Sequence, residues 1–319
     1  MKKFIRKLFY LMVPLLMLSY PLDIIFSSIL KESHSFQGEY EVWNDIYNSK
    51  IDCDLAIYGS SRAWVQIDPK IIEDVLDKEV YNFGIDGHNF RLQYLRHLEY
   101  LKFNKKPNHI LLNVDVFTLE KRDDLYLQEQ FLPYMLWNKN IHSYTSNYKG
   151  FSTSDYYIPF LRYMGRNSIF KEVTSKIFKS DTIQFRNKGY KGFDKKWDES
   201  IDSLLSSEKK YNINFHKETI SLFEQFINEC LKDNINVTLV YAPEYTDGQY
   251  YVANREEAMT HFKEISQKYK LTFLDYSQDD LSFRKNLFYN ASHLNREGSQ
   301  LFTRKLAQDF KQAQNLINN

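Results

Sequence analysis

The chain has 319 residues, of which 43% are hydrophobic and 26% are charged, and its formal net charge at pH 7 is +1. This composition is typical of a globular protein, and it excludes a disordered chain, a collagen and a membrane protein with many spans. The near-neutral charge argues against a dedicated binder of duplex DNA or RNA, which concentrates a basic excess on one face. The length permits one large domain with insertions, or two domains.

The chain begins with a basic cluster followed by a long apolar segment. Four basic residues lie among the first seven, and residues 8–30 are almost wholly apolar, with Asp23 as their one charge and with Pro14 and Pro21 as interruptions. This segment is long enough to span a bilayer, and its basic flank places everything after Lys31 outside the cytoplasm. A cleaved signal peptide is the main alternative, and an apolar helix packed on the soluble domain is a third. No convincing small-x-small cleavage site follows, which favours an uncleaved anchor over residues 1–31.

From residue 54 onward, short apolar strands alternate with amphipathic helices. The predicted elements are, in order, a strand at 55–58, a helix opened by Asp68 and Pro69, a strand at 80–83, a helix at about 89–102 and a strand at 109–115; then, after an irregular stretch, a helix at 216–232, a strand at 237–241, a helix at 253–269, a strand at 271–274 and a last helix from about Ser299. This alternation predicts parallel β-α-β units and therefore an α/β fold.

An insertion at about 120–212 interrupts the repeat. It contains 11 aromatic residues between positions 126 and 163, and 10 Lys and Arg against three acidic residues between positions 162 and 196. We interpret the aromatic side chains mainly as the insertion's own core and the charges as a solvated face. Two alternatives remain: a polysaccharide groove that uses Tyr156, Tyr157, Arg162 and Arg166, or a basic patch that rests on anionic lipid headgroups.

Cysteine is rare in the chain. Cys53 and Cys230 are the two present, so neither a disulfide framework nor a cysteine-based zinc site can form. We interpret both thiols as packing residues. A single bridge between them is the alternative in an oxidising compartment.

An open parallel sheet binds its ligands at the carboxyl ends of its strands, so the residues that follow strands are candidates for function. Two candidate segments directly follow predicted strands, and a third directly precedes the last helix. Gly59-Ser60-Ser61 offers a hydroxyl on a tight turn leading into a helix, whose N–H groups and dipole stabilise an oxyanion. The Gly84-Ile-Asp-Gly87 segment offers another free N–H, and His293 offers the base that a nucleophilic serine requires. Alone, each is more often a cap, an anion nest, a turn or a surface histidine. Their order along an α/β chain is more specific.

Residues 52–117 and 213–312 resemble the SGNH/GDSL hydrolase superfamily, in particular its membrane-anchored bacterial branch that is linked to acylation of cell-surface polysaccharides. Ile57-Tyr-Gly-Ser-Ser-Arg62 is similar to the first block, with Ser61 at the nucleophile position and Ser60 in place of the Asp of Gly-Asp-Ser. Asn82-Phe-Gly-Ile-Asp-Gly87 is similar to the second block, whose last glycine, Gly87, gives an oxyanion N–H. In the third block Asn113 or Asp115 would replace the oxyanion asparagine, since no Gly-x-Asn-Asp is present.

His293 and the Leu-Asn-x-x-Gly that follows it match the final block, but the aspartate of that block is Asn290 here. A triad carboxylate fixes the histidine tautomer and stabilises the imidazolium, whereas Asn290 orients the ring without a charge. Three outcomes are open: a slow Ser61–His293 dyad, a carboxylate supplied from elsewhere, or an inactive relative. The candidates for such a carboxylate are Asp86, Asp275 and Glu244.

The resemblance implies a three-layer α/β/α domain over residues 32–319 with a parallel sheet and the insertion at about 120–212. It implies that Ser61 forms an acyl-enzyme, that His293 acts as base and then as acid, and that the N–H groups of Ser61 and Gly87 hold the oxyanion. We expect an extracytoplasmic transferase or esterase for acyl groups, acetyl in particular, on an exported cell-surface polysaccharide.

By the same resemblance, the expected partner is a membrane-bound O-acyltransferase, and no cofactor or metal is needed; the near-neutral charge predicts no nucleic-acid partner. The competing hypothesis is a catalytically impaired accessory protein of the same fold that binds glycan or this acyltransferase. A lipid or peptidoglycan esterase is a further alternative.

Overall fold

The structure of the chain is a computed structural model that describes residues 2–87, 89–178, 183–199, 202 and 210–318. The chain divides into two compact units. Unit 1 contains Met1–Asn44 and Asp123–Phe185, and unit 2 contains Asp45–Arg122 and Arg186–Asn319. The insertion predicted at 120–212 is thus shared between the two units, and parts of it lie outside the described residues.

The bounds of the elements are as follows. The strands are β1 Leu55–Gly59, β2 Val80–Asn82, β3 His109–Val114, β4 Asn236–Tyr241, β5 Thr272–Asp275, β6 Phe288–Asn290 and β7 His293–Leu294. The α-helices in the described ranges are α1 Lys2–Lys31, α2 Glu39–Tyr47, α3 Ser61–Trp64, α4 Pro69–Leu76, α5 Phe90–Phe103, α6 Lys139–Thr145, α7 Asn167–Phe178, α8 Lys217–Lys232, α9 Thr246–Gln249, α10 Arg255–Tyr269 and α11 Arg296–Asn318. Short 3-10 helices lie at Phe36–Gly38, Gln128–Phe131, Thr153–Tyr156, Leu161–Tyr163, Asp280–Phe283 and Lys285–Leu287.

Unit 2 is built on a five-stranded parallel sheet. Its strand order is β2-β1-β3-β4-β5, so the chain runs outward from β1 first in one direction and then in the other. This order creates a switch point between β1 and β3, beyond whose carboxyl ends open sheets bind their ligands. The predicted α/β class with a parallel sheet is confirmed.

Helices cover both faces of this sheet. On one face, Leu55 and Ile57 of β1 belong to a buried cluster that also contains residues of α4 and α11, including Phe302 and Leu306. On the other face, the ring of Tyr58 contacts Phe226 of α8. Successive strand residues point to opposite faces, so a strand covered on both sides is continuously apolar, as β1 is. The sheet is therefore the middle of three layers.

Two helix starts show how local hydrogen bonds set the boundaries. Asp68 caps α4, since its carboxylate accepts from the N–H of Lys70 at 3.0 Å, as its place before Pro69 predicts. The last helix begins at Arg296 instead of about Ser299, so that predicted start is wrong by three residues. The cause is Asn295, whose side-chain oxygen accepts from the N–H of Gly298 at 3.0 Å.

Unit 1 joins the N-terminal helix to part of the insertion. Helix α1 is continuous from Lys2 to Lys31 despite Pro14 and Pro21, and its C-terminal part lies beside α7. Buried tyrosines from the insertion form much of the unit's core: Tyr134, Tyr148, Tyr156 and Tyr163. Of the 11 aromatic side chains between positions 126 and 163, five are buried, three are half-buried and three are exposed, so the interpretation of them as mainly a core holds only in part.

Candidate active site

The Ser61 hydroxyl and the His293 imidazole meet at one edge of unit 2. Ser61 is the first residue of α3, directly after β1, and His293 begins β7 just before α11. Ser61 Oγ lies 2.7 Å from His293 Nε2, although 232 residues separate them in the chain. A serine within hydrogen-bond distance of an imidazole is the arrangement that activates a nucleophile.

The turn that presents Ser61 depends on a glycine at the end of β1. Gly59 has φ +148°, and a Cβ atom there would lie 2.7 Å from the carbonyl oxygen of Asn113 on the neighbouring strand. Only glycine fits this backbone and this close approach. The chain can therefore leave the sheet and enter α3 within two residues.

Ser60, the residue before the nucleophile, is held by a buried carboxylate. Its hydroxyl donates to Asp115 Oδ2 at 2.7 Å and accepts from the N–H of Arg62 at 3.3 Å as the N-cap of α3. The other oxygen of Asp115 accepts from the N–H of Phe117 at 3.0 Å. Asp115 thus links the turn after β3 to the turn after β1, and because it accepts in both bonds it does not supply the oxyanion donor that was predicted for Asn113 or Asp115.

Asn290 orients the imidazole through its side-chain oxygen. That oxygen accepts from the backbone N–H groups of Ser292 at 3.1 Å and of His293 at 2.9 Å, and it lies 2.9 Å from His293 Nδ1. Backbone N–H groups only donate, so the atom facing them is the oxygen and not the NH₂ of the amide. His293 Nδ1 must then carry the proton, which leaves Nε2 free to accept from Ser61. Asn290 therefore sets the tautomer that a general base needs.

None of the three alternative carboxylates contacts His293. In the described ranges, His293 Nδ1 has two hydrogen-bond partners, Asn290 Oδ1 and the Ser292 hydroxyl at 3.1 Å. Glu244 binds two arginines, Asp275 accepts from the N–H of Ser277, and Asp86 accepts from the N–H of Gly87. The third member of the site is therefore a neutral amide.

A buried cluster of arginines lies directly behind the nucleophile. Glu244 sits 3.4 Å from Arg62 Nη1 and 2.5 Å from Arg255 Nη1, and it also accepts from the Tyr241 hydroxyl at 2.8 Å. Two guanidinium groups share one carboxylate, so the cluster keeps a net positive charge. Burial, and then repulsion by Arg62 and Lys195, lowers the pKa of His293 to about 3. The imidazole is neutral at physiological pH.

Three groups predicted for the oxyanion site lie near the ends of β1, β2 and β3. Gly87 has φ +82°, and its N–H donates to the Asp86 carboxylate at 3.1 Å. Asn113 pairs with Gly59 in the sheet, and its Oδ1 accepts from the N–H of Ala242 at 3.2 Å. Asn113 Nδ2 is buried and has no acceptor among the described residues. Such an orphaned donor is rare in a folded protein, and here it belongs to a residue beside the nucleophile turn.

The loop after β2 is held in place by hydrogen bonds of the Asn82 and Arg186 side chains. Asn82 donates to the carbonyl oxygens of Ala63 and Ile67 and accepts from the N–H of Gly84 at 2.9 Å. Arg186 donates to the carbonyl oxygen of Gly84 at 2.8 Å. These bonds tie the loop that carries Gly87 to the segment following Ser61.

An open groove of about 530 Å³ is lined by residues 194–197, Asn286 and 295–297. Lys195 connects this groove to the site, since its ammonium lies 5.3 Å from the centre of the Tyr289 ring. The Tyr289 ring in turn stacks on the His293 imidazole, with centroids 5.4 Å apart and planes 8° from parallel. The groove volume is in the range of small-molecule sites.

Sequence reasoning missed Tyr289, Lys195, Ser292 and the Arg62–Glu244–Arg255 cluster. Ser292 and Tyr289 flank the motif residues Asn290 and His293, so proximity in the chain was an available signal for them. Lys195 lies in an irregular segment about 100 residues upstream, and no periodic pattern indicates its contact with Tyr289.

Two candidates for a glycan groove in the insertion are incorrect. Tyr156 and Arg162 are each 1% exposed, so neither side chain can contact a polymer from solution. Tyr157 is exposed, and Arg166 donates to the carbonyl oxygens of Arg162 and Gly150. These two predictions were wrong because the position of a tyrosine or an arginine in the sequence does not show whether its side chain is buried or solvated.

Two other features bear on chemistry. Cys53 and Cys230 are free and buried, and burial raises the pKa of the Cys53 thiol to about 12, which makes it inert. Among the described residues, no group of three His, Cys, Asp or Glu side chains could hold a metal ion.

No protein-family model matches the chain, and no curated protein matches it. Among solved structures, one from Streptococcus pneumonia, provisionally called a platelet activating factor, is 13% identical, with a TM-score of 0.44 over 88% of this chain and 94% of that one. A second, from Bacteroides fragilis NCTC 9343 and provisionally called an acylhydrolase, is 11% identical, with a TM-score of 0.33 over 80% of this chain and 86% of that one. Neither likeness carries information about chemistry; the geometry of the site does.

Proposed function

We propose that the chain is a serine-dependent esterase or acyltransferase of the SGNH type, in which Ser61 carries the acyl group. The observation that supports this most directly is the hydrogen-bonded series Ser61 Oγ, His293 Nε2, His293 Nδ1 and Asn290 Oδ1, with separations of 2.7 Å and 2.9 Å across its two hydrogen bonds. The series lies at the carboxyl edge of a parallel sheet, where such folds bind ligands. It contains a nucleophile, a base and a group that orients the base.

The reaction follows from these roles. Ser61 Oγ attacks the carbonyl carbon of an ester while its proton passes to His293 Nε2. The tetrahedral intermediate collapses, the protonated imidazole gives its proton to the leaving alcohol oxygen, and acyl-Ser61 remains. Water, or a hydroxyl of an acceptor, then loses its proton to His293 and attacks the acyl carbon; the bond from this carbon to Ser61 Oγ breaks, and the imidazolium returns the proton to Ser61. Water gives hydrolysis, and an acceptor hydroxyl gives transfer.

The oxyanion of each intermediate needs donors near Ser61. We assign this role to the N–H groups of Ser61 and Gly87 and to the orphaned Nδ2 of Asn113. Gly87 must first release Asp86, since its N–H donates to that carboxylate in the free protein. Substrate binding would then exchange one acceptor for another at no loss of hydrogen bonds.

We propose a polysaccharide, with acetyl as the acyl group, as the substrate. The groove beside the site combines the indole of Trp197 with three basic side chains and two acidic ones: Lys195, Lys196, Arg296, Asp194 and Glu297. Aromatic faces pack on sugar rings and amines attract acidic sugars, so this lining suits an anionic glycan. The groove, whose residues 194–197 lie in the last part of the insertion, replaces Tyr156 and Arg162 as the candidate glycan surface.

We also propose that the protein is anchored in a membrane, with its catalytic unit outside the cytoplasm and a membrane-bound O-acyltransferase as partner. Residues Met12–Lys31 form a helical segment of 20 residues with mean hydropathy 1.7, long and apolar enough to cross a bilayer. A signal sequence passes the same test. The basic residues before this segment favour an N-terminus that stays inside.

The decisive experiment measures acetyl release from p-nitrophenyl acetate by the full chain in detergent. We expect Ser61→Ala to abolish release and to prevent the gain of one acetyl group in the intact mass. The matched control is Ser175→Ala, which truncates an exposed serine in α7. Equal rates for Ser61→Ala and the unaltered protein would remove Ser61 from the mechanism.

A non-catalytic accessory protein is the second candidate, and Asn290 is the observation that favours it. Without a carboxylate, the imidazolium formed during the reaction has no adjacent negative charge. This candidate predicts binding of acidic glycan through Lys195 and Lys196 with no acetyl release. Loss of glycan binding in Lys195→Met, together with equally absent release by all variants, would favour it over the enzyme.

A further inference from the structure

The C-terminal third of α1 has the polarity of a membrane helix and not of a soluble one. Asp23 and Ser27 are buried against the rest of unit 1 together with Leu30, whereas Leu22, Ile24, Ile25 and Ser28 are exposed. A helix on the surface of a soluble protein shows the opposite distribution, with its apolar side inward. Polar groups that face inward and apolar groups that face outward are expected where the surroundings are lipid.

The buried side of this helix is fastened to the insertion by a complete ion pair. Arg162 Nη1 and Nη2 lie 2.5 Å and 2.8 Å from the two oxygens of Asp23, a bidentate contact. The N–H of Phe160 also donates to Asp23, at 2.6 Å, and Arg162 Nε donates to the carbonyl oxygen of Leu132 at 2.5 Å. The Ser27 hydroxyl lies 2.8 Å from that of Tyr163. We call this group of contacts the Asp23–Arg162 latch.

The latch requires that the part of α1 carrying Asp23 and Ser27 stay in the chain. Cleavage beyond Asp23 would remove both the carboxylate that pairs with Arg162 and the helix that covers it, so the buried arrangement of this guanidinium could not form. Cleavage just before Asp23 would place this residue at a frayed new terminus. Folding of unit 1 as observed therefore requires the C-terminal part of α1.

Helix length shows how deep the latch must lie. From the last basic residue, Lys7, the apolar stretch that precedes Asp23 has fifteen residues, or about 22 Å at 1.5 Å per residue. The hydrocarbon core of a bilayer is about 30 Å thick. The residues beyond Leu22 must supply the remaining depth, and they are the ones that contact the insertion.

The parts of the insertion that surround the latch expose apolar side chains, interspersed with the exposed polar residues Asn167, Ser168 and Lys171. Ile158 and Met164, on either side of the segment that binds Asp23, are exposed, and so is Phe170, whose ring contacts Phe26 of α1 at a centroid distance of 5.0 Å. Trp137 stacks on Tyr20 at 5.7 Å, and its indole N–H donates to the carbonyl oxygen of Tyr157. Tyr20 lies thirteen residues beyond Lys7, or about 20 Å along the helix, so this ring pair would lie within the hydrocarbon core, where the bond to Tyr157 satisfies the indole N–H.

We infer that α1 is retained in the mature protein and that unit 1 is seated in the bilayer, with Ile158, Met164 and Phe170 in the leaflet distant from the basic N-terminus. The partner of this surface is lipid. The inference rests on the anchored placement in the proposed function but not on its chemistry, so Ser61→Ala protein should be seated in the same way.

Spin-label accessibility tests the seating. Single variants Ile158→Cys and Met164→Cys are labelled in the full chain, reconstituted in nanodiscs of phosphatidylethanolamine and phosphatidylglycerol; the matched controls are Phe283→Cys and Tyr250→Cys, exposed apolar positions of unit 2. The native thiols are buried and will not compete. We expect labels at 158 and 164 to collide with oxygen several-fold more, and with a water-soluble nickel chelate several-fold less, than the controls. Equal values at all four positions would overturn the lipid contact.

A second measurement needs no variant. The intact mass of protein purified from the membrane fraction should include the basic N-terminal residues, and a mature chain that begins after residue 18 would overturn retention of α1. Acetyl release from a soluble ester in the same nanodiscs separates the two proposals. Activity with water-exposed labels would contradict only the seating, and lipid-exposed labels without activity would contradict only the chemistry.

Discussion

Asn290 Oδ1 lies 2.9 Å from His293 Nδ1 and accepts from two backbone N–H groups of its own turn. These N–H groups prevent the amide from turning its NH₂ toward the imidazole. In serine proteases, replacing the triad aspartate by asparagine costs about 10⁴ in rate because the histidine takes the wrong tautomer. In this protein Asn290 sets the correct tautomer of His293. Compared with an aspartate, it therefore lacks only the negative charge.

Asn290→Asp should therefore increase kcat for acetyl release. A carboxylate at this position would stabilise the imidazolium and raise the pKa of His293, and the two backbone N–H groups would hold it in the same place. We expect a gain of about 10-fold to 100-fold, since one to two pKa units correspond to this range. Asn290→Ala is the control, and it should lose activity because no group then orients the ring. A rate for Asn290→Asp at or below that of the unaltered protein would contradict the proposed role.

The pH dependence of the unaltered protein should be displaced toward acid. Because the pKa of His293 is lowered to about 3, the imidazole stays neutral, and able to accept the serine proton, down to that pH. An ordinary histidine with a pKa of about 6.5 would retain only about 3% of its neutral form at pH 5. We expect kcat/KM for an acetyl ester to be nearly constant from pH 7 to pH 5. Asn290→Asp should move the acidic limb of the kcat/KM profile to higher pH.

Removing the charge of Lys195 provides a second test of this electrostatic account. Lys195→Met keeps much of the side-chain volume but ends the repulsion that contributes to the lowered pKa of His293. The acidic limb of kcat/KM should move to higher pH, in the same direction as for Asn290→Asp but by less, because burial is the larger cause. An unchanged limb would show that Lys195 does not influence the imidazole.

Ser60 and Asp115 should act as a pair that positions the nucleophile. Ser60→Ala and Asp115→Asn each disturb the 2.7 Å bond between the two turns, so each should lower kcat more than it changes KM. Contacting residues couple by about 0.5–3 kcal/mol, so the double variant should be little worse than the worse single variant. The double-mutant cycle is measured on kcat for acetyl release. Additive losses would mean that the two residues act separately.

The sheet and its helices were predictable because their side chains repeat with the periods of strands and helices. The predicted strand at 109–115 is observed at His109–Val114, and the predicted helix at 216–232 at Lys217–Lys232. Helix α2 and the short β6–β7 pair were missed. Two or three residues per strand are too few to show an alternating pattern.

The juxtaposition of Ser61 and His293 was predictable from the strand ends and from the resemblance, because parallel strands bring their carboxyl ends to one edge. The contacts that join irregular segments to distant parts of the chain were not predictable. Lys195 reaches Tyr289 from an irregular segment, and Arg162 reaches Asp23 across 139 residues. Such pairs depend on the folded path of the whole chain, to which no local pattern corresponds.

The Asp23–Arg162 latch should be more sensitive to the loss of one partner than to the loss of both. Arg162→Leu leaves a buried carboxylate without its cation, and Asp23→Leu leaves a buried guanidinium without its anion; each should lower the free energy of unfolding by about 3–5 kcal/mol. The double variant places two apolar side chains in contact, and it should recover most of that loss. Thermal unfolding of the full chain in nanodiscs measures all three. The exposed pair Lys70 and Asp74, 3.0 Å apart, is the control, and Asp74→Leu should change stability by no more than about 1 kcal/mol. If the double variant were as unstable as the worse single variant, the latch would contribute through its hydrogen bonds to Phe160 and Leu132 and not through the pairing of charges.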